Sequence, residues 1–218
     1  MGKTATCTIT IIGPQIEYVN LGLSVKWAAC NVGATKPEEY GGYYAWGETE
    51  KTTYDWSTYK WCNGSSTTLT KYNNSSSYGT VDNKTTLDPE DDVAHVKWGG
   101  NWRMPTKAEQ DELLNNCTWT WYDSGNTEFN GVAGYKVTSN KSGYTDRFIF
   151  LPAAGYYSDD GPYAMNPNFY NDVCYYWSSS LYTDSPDNAY YFLCSPYLGV
   201  SGGRDTRHRS FSVRPVCP

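Results

Sequence analysis

The sequence predicts an α+β domain with two short helices, short antiparallel strands and extensive ordered loops. Three observations predict it. One stretch carries a full helix-start signature, Thr106-x-x-Glu109 followed by Leu113 and Leu114. The strand-like runs are brief, β-branched or aromatic, and separated by Gly, Pro, Asn and Ser. Residues 50–87 and 152–218 are rich in Thr, Ser, Asn, Gly and Tyr and poor in aliphatics, so most of them must be ordered loop.

Taken in chain order, residues 4–12 (TATCTITII) read as a strand, broken by Gly13-Pro14. Residues 1–16 form a tether or strand ahead of the main domain, residues 17–218. The apolar stretch within 17–32 reads as strand. Pro37-Glu38-Glu39-Tyr40 opens a helical turn, because proline suits the first helical position and acids suit the positive end of the dipole. Gly41-Gly42 ends it, and Tyr43–Trp46 resumes as strand. Residues 50–87 read as a long surface excursion. Asp88 and Pro89 mark the first helix. Its acids also suggest a calcium loop, but alternate ligand positions and a turn glycine are missing. Thr106 starts the second helix, which ends by Asn115-Asn116. Strands follow at 119–122, 134–138 and 147–151, then at 174–180, 189–194 and 211–216.

Composition excludes several functions. The formal charge is −6, against a nucleic-acid footprint. No apolar run is long enough for a membrane span. The seven cysteines include no CxxC pair and there are only two histidines, so zinc spacing is absent and no metal or other cofactor is expected. Isolated buried thiols are the expectation, with one or two disulfides as the alternative. An odd count leaves at least one thiol unpaired within the chain.

One feature separates the last third from the rest. All 11 Lys, 9 Glu and 2 Gln lie in residues 1–147, and residues 148–218 contain none. Charge persists there as Asp and Arg. Turn preference explains the Asn, Asp, Ser and Gly, but not the joint loss of Lys, Glu and Gln. Mutation of the adenines in A-A-pyrimidine codons explains both: the pyrimidine end is kept, so Lys, Glu, Gln, Met and Trp cannot arise. Met165 and Trp177 must then be fixed by the template. Ten tyrosines fall between 156 and 197. Tyrosine supplies contact area at low entropic cost, and Ser, Gly and Asn supply adaptable hydrogen bonds, the mix of antibody loops. About a third of these rings are expected in the core and the remainder on an interaction surface.

Several strings carry a family resemblance. Tyr18 to Ala28 (YVNLGLSVKWA), Cys30 to Ala34 (CNVGA), Tyr44 to Glu48 (YAWGE), Asn101 to Thr106 (NWRMPT), Phe150 to Gly155 (FLPAAG), Tyr176 to Ser180 (YWSSS) and Phe211 to Val216 (FSVRPV) occur in that order. The set resembles the Fibrobacter succinogenes major paralogous domain of Bacteroides-type bacteria, and spans about residues 17–216. The resemblance implies a C-type lectin-like fold of the formylglycine-generating-enzyme branch. It further implies a variable protein of a diversity-generating retroelement, with Trp177–Ser180 and Ser212–Pro215 as scaffold. Ser210 departs from the glycine usual before the Phe-Ser-Val-Arg-Pro string.

The expected function is non-catalytic, receptor- or adhesin-type binding of an unknown protein or glycan on a cell surface. The variable ligand-binding region is 156–209, with Tyr157, Asp159, Asp160, Tyr163, Asn168, Tyr170, Asp184, Asp187, Tyr197, Arg204, Asp205 and Arg207 as the leading contacts. The expected place is extracellular, on a cell surface or a phage particle. The alternatives are calcium-independent carbohydrate binding, a structural tail or fimbrial role, and an enzyme. A formylglycine-type oxidase needs a close cysteine pair, whereas Cys174, Cys194 and Cys217 are 20 and 23 residues apart. Asp159-Asp160 lacks a helper histidine, and His208 reads as solvated. The sugar-binding motifs of calcium-dependent lectins are absent.

Overall fold

The computed structural model describes residues 16–50, 55–158, 161–162 and 172–218. The expected strand at 4–12 lies outside them. Within them the architecture is mixed: two helices and many antiparallel strands arranged in small sheets.

The first sheet joins the two ends of the domain. Strands β1 (Tyr18–Val19) and β2 (Lys26–Ala28) pair antiparallel, and β2 also pairs with β13 (Val216–Cys217), Trp27 facing Val216. The expected strand over 17–32 is therefore two short pieces, turned at Gly22, whose φ is +72°. Pro37–Glu38 forms only a turn, without a helix. Strand β3 (Tyr44–Ala45) pairs with β12 (Ser210–Phe211), which continues to β7 (Tyr157–Ser158) and β8 (Gly161–Pro162).

The first helix starts later than the sequence suggested. Pro89–Asp91 is a 3-10 turn, and Asp88 makes no side-chain cap. Helix α1 runs over Val93–Trp98 and is capped by Asp92, which accepts from the amides of Ala94 and His95. The same carboxylate accepts from the Met104 amide at 2.8 Å, tying α1 to the next segment. Helix α2 (Lys107–Asn116) begins as expected, with both halves of the Thr106/Glu109 capping box formed. Leu113 is its fully buried contact, a burial that stabilises by about 2 kcal/mol.

Strands β4 (Cys117–Tyr122), β5 (Gly134–Ser139) and β6 (Phe148–Pro152) form an antiparallel meander at the expected positions. The fourth sheet holds β9 (Cys174–Leu181), β10 (Asn188–Ser195) and β11 (Gly199–Thr206), with β10 central. Strand β11 was not expected. The expected strand at 211–216 is split between β12 and β13.

Two apolar clusters fill the interior. One gathers Trp27, Leu113, Tyr135, Val137, Tyr176 and Phe192; the other gathers Trp46, Tyr72, Met104, Trp177, Phe211 and Val213. Residues 50–87, read as a surface excursion, contribute Tyr59, Leu69 and Tyr72 to the core. The indole N–H groups stitch the layers: Trp46 donates to the Ser178 carbonyl at 2.8 Å, and Trp177 to the Tyr44 carbonyl at 3.0 Å. Cys174 and Cys194 face each other across β9 and β10 and form a disulfide. The expectation of isolated thiols is corrected at that pair. Cys30, Cys62, Cys117 and Cys217 are free. Among the described residues no helix is long and apolar enough to cross a membrane.

Candidate functional site

Residues after 150 build both the frame and the surface around it. Successive side chains on a strand point to opposite faces, so a Tyr-Tyr doublet places one ring on each side. Three doublets do this. Tyr176 goes inward and stacks on Phe192 at 5.1 Å, while Tyr175 turns the other way. Tyr191 joins Tyr175, at 5.3 Å, while Tyr190 turns towards α2. Tyr156 packs against Tyr175 at 4.9 Å, while Tyr157 packs edge-on against Tyr43 at 4.8 Å.

The first surface centres on Phe211. This buried ring stacks on Trp177 at 4.1 Å and is flanked by Tyr175 at 4.9 Å, Tyr191 at 5.2 Å and Tyr156 at 5.8 Å. All three tyrosines are half-buried. Arg209 lies at the rim, 5.8 Å from the Tyr156 ring centre, and pairs with Asp205 at 2.9 Å. Burial, and then the Asp205 carboxylate, push the Tyr191 hydroxyl above the ordinary tyrosine range, so it remains a neutral donor at physiological pH.

The second surface lies on the other side of the same sheet, between α2 and the β10–β11 hairpin. Tyr190 is crossed edge-on by Tyr182 at 5.3 Å, and the Arg204 guanidinium covers Tyr182 at 4.5 Å. Lys107, tied to Asp111, sits 5.3 Å from the Tyr190 ring centre.

The residues expected to contact ligand fall into three groups. Asp159, Asp160, Tyr163, Asn168 and Tyr170 lie outside the described residues. Tyr157, Asp184, Asp187, Tyr197, Arg204 and Asp205 are exposed or half-buried; Asp184 and Arg204 meet at Tyr182, but the six do not share one site. Tyr197 is 81% exposed at the tip joining β10 to β11, and Asp184 sits in the turn at the other end of β10, about 25 Å away along the strand. Asp187 is taken up by its own turn, accepting from Ser185 and Asn188 at 2.8 and 2.9 Å.

Arg207 is a correction. It is fully buried and donates to the carbonyls of Tyr72 and Pro186 at 2.9 Å, to that of Lys71 at 3.2 Å and to the Tyr59 hydroxyl at 3.0 Å. Its guanidinium stitches loops and cannot reach a ligand. His208 is also buried, its ring 4.6 Å from Trp56, rather than solvated. Tyr156, Tyr175, Tyr190, Tyr191 and Arg209, which line these two surfaces, are not among the expected contacts. The doublets were the signal that could have found the tyrosines.

The acids at Asp88, Glu90 and Asp91 come within ligating distance of one another. Lys71 lies among them, 2.6 Å from Asp88 and Asp91 and 3.8 Å from Glu90, and together with Lys60 at Asp91 and Lys84 at Asp88 it supplies the opposing charge. Burial is the main cause that raises the thiols of Cys30 and Cys217, and it pushes Cys117 up to about 11. Such thiols are poor nucleophiles. Compared with family models, with curated proteins and with solved structures, the chain matches none.

Proposed function

We propose that the protein is a non-catalytic binding protein with a C-type lectin-like frame, and that residues 156–209 form a diversified recognition surface. Its ligand is a protein or glycan outside the cell. The observation that carries the reading is a partition within the segment free of Lys, Glu and Gln. The strings taken as scaffold are interior: Trp177, Ser178, Ser212, Val213 and Arg214 are wholly buried, and Ser179 nearly so. Between them Leu181, Ala189, Phe192, Cys194, Arg207, His208 and Phe211 are also buried, whereas Tyr182, Asp184, Tyr190, Tyr191, Tyr197, Arg204, Asp205 and Arg209 are half-buried or exposed and are the positions open to variation. A diversified protein needs this division, because variation is harmless only where side chains leave the core intact.

Two further features support the reading. The described free thiols with perturbed acidity are raised rather than lowered, and Cys174 and Cys194 are both fully buried and bonded, which disfavours thiol catalysis. A disulfide suits an oxidising, extracellular setting.

The test is a library in which Tyr156, Tyr182, Asp184, Tyr191, Tyr197 and Arg204 are each varied among Asn, Asp, Ser, Tyr, Gly and Arg. Most members are expected to melt within about 4 °C of the parent. Their binding profiles on glycan arrays and panels of surface proteins are expected to differ from member to member. General unfolding, or one profile shared by all members, defeats the reading.

A further inference from the structure

The surface between α2 and the β10–β11 hairpin is a cleft of about 320 Å³, at the small end of ligand pockets, which span roughly 300–1,000 Å³. Its two walls differ in origin. Lys107, Asp111 and Leu114 come from α2, ahead of the segment that lacks Lys, Glu and Gln, whereas Tyr190, Gly202 and Arg204 come from within it.

Each group has a definite chemical character. The half-buried Tyr190 ring lines one wall, with the Lys107 ammonium over it at 5.3 Å and Tyr182 packed edge-on against it. Leu114 adds an apolar patch at the helix side. Gly202 leaves the strand side bare: a β-carbon built there meets nothing closer than Asp111 Oδ1 and the Tyr191 carbonyl, both at 3.9 Å. The Lys107–Asp111 pair offers a donor and an acceptor side by side. The exposed Arg204 lies over Tyr182 and has no carboxylate partner among the described residues. Its guanidinium is a free fork for a planar anion.

We propose that this cleft binds a single acidic sugar unit, a pyranose bearing a carboxylate. The C–H face of the ring stacks on Tyr190, the carboxylate takes the Arg204 fork, and the hydroxyls exchange hydrogen bonds with Lys107 and Asp111. An aromatic wall answers the apolar face of such a ring, and the flanking charges answer its rim. A peptide carboxylate would use Arg204 but leave the Tyr190 wall without a rigid ring to cover it. The helix wall supplies the same contacts to every variant, so it recognises the feature common to the ligands, while 190, 202 and 204 tune the choice. This rests on the proposed function, whose recognition surface includes Tyr190 and Arg204, and deepens it by assigning a ligand class to the side of the sheet that faces α2.

The experiment is an NMR titration of the ¹⁵N-labelled protein with glucuronate, glucose and acetate. Glucuronate is expected to shift the amides of Gly202, Gly203 and Arg204 saturably. Glucose should bind at least about tenfold more weakly, the loss expected for one charged hydrogen-bonded contact, and acetate should leave these amides unmoved. Gly202→Val puts a β-branched side chain into open space on a strand, so it should fold normally by circular dichroism and abolish the shifts. Arg204→Lys keeps the charge, loses the fork and should weaken glucuronate by about tenfold. Absence of saturable glucuronate shifts, equal shifts with acetate, or full binding by Gly202→Val would each overturn the proposal. Failure here leaves the proposed function standing, because the library positions Tyr156 and Tyr191 have their rings on the Phe211 side and test it without Arg204.

Discussion

The Tyr191 ring lies across the backbone of Gly203: a β-carbon at 203 would stand 2.7 Å from the ring's Cζ and hydroxyl oxygen. The two residues face each other in the β10–β11 register. Only a residue without a side chain lets the ring lie flat there and reach Phe211. Gly203→Ala therefore sets two effects against each other. Alanine removes a glycine penalty of about 0.5–1 kcal/mol in a strand, and displacing the ring costs about 1 kcal/mol or more. The expected outcome is a melting temperature within about 4 °C of the parent, with a changed near-ultraviolet circular dichroism signal as the ring leaves Phe211. An unchanged aromatic signal contradicts the arrangement.

Arg214 and Arg207 should behave as frame residues. Arg214 is fully buried and donates to the carbonyls of Ala28, Ala29 and Phe150 and to Asn31 Oδ1, at 2.7–3.1 Å. Arg214→Ala leaves these acceptors without their donor and should destabilise by about 3 kcal/mol or more in urea titration. Arg207→Ala should also lower stability by a similar amount. Both losses should appear before any change in ligand preference. A stable Arg207→Ala variant with selective loss of binding would restore Arg207 as a contact.

How much of this was legible in the sequence depends on where each signal resides. Helix α2 announces itself because the capping box is a local exchange of two hydrogen bonds, written in Thr106 and Glu109. Strands β4 to β6 announce themselves through β-branched and aromatic side chains. Strand β11 does not: Gly-Val-Ser-Gly-Gly-Arg-Asp-Thr has no alternation, and it is a strand because β10 offers it a backbone ladder. Arg207 reads as a ligand contact because Arg207-His208-Arg209 is polar, yet its acceptors come from residues 59, 71, 72 and 186, which only tertiary structure brings together. The proposed surface is legible in the sequence only as a composition, the 156–209 segment that lacks Lys, Glu and Gln. Its tyrosine members are not, since choosing the outward ring of each doublet requires the strand register.

The Cys174–Cys194 link closes a loop of 20 residues around the β9–β10 turn. A crosslink of that span stabilises by about 3 kcal/mol through the unfolded state. The double variant Cys174→Ala, Cys194→Ala should lose about that much in urea titration, and reductant should reproduce the loss in the parent but not in the variant. Equal sensitivity to reductant in both would remove the disulfide from the account.

Acid stability should depend on the Arg103–Glu109 pair. Burial pushes the Glu109 carboxyl up, but the Arg103 guanidinium and the Thr106 hydrogen bonds outweigh it and hold the carboxyl below its ordinary value of 4.5. Arg103 Nη1 lies 2.8 Å from Glu109 Oε2. A depressed folded-state value means that the ionised form contributes stability above about pH 4.5, and that this is lost as pH falls through the folded value. Arg103→Met should raise the pH of acid unfolding and lower neutral-pH stability by about 1 kcal/mol, a modest figure because the pair is partly solvated. An unmoved acid midpoint refutes the coupling.

The pairing of Trp27 with Val216, reinforced by Arg214 reaching back to Ala28 and Ala29, has a consequence for biosynthesis. The first sheet cannot close until residue 217 has left the ribosome, so the domain matures only after translation of the whole 156–209 segment. A frameshift or premature stop anywhere between 156 and 209 deletes the closing strand. Such a chain lacks the strand that closes the first sheet, so an intact reading frame through 156–209 is a condition of folding.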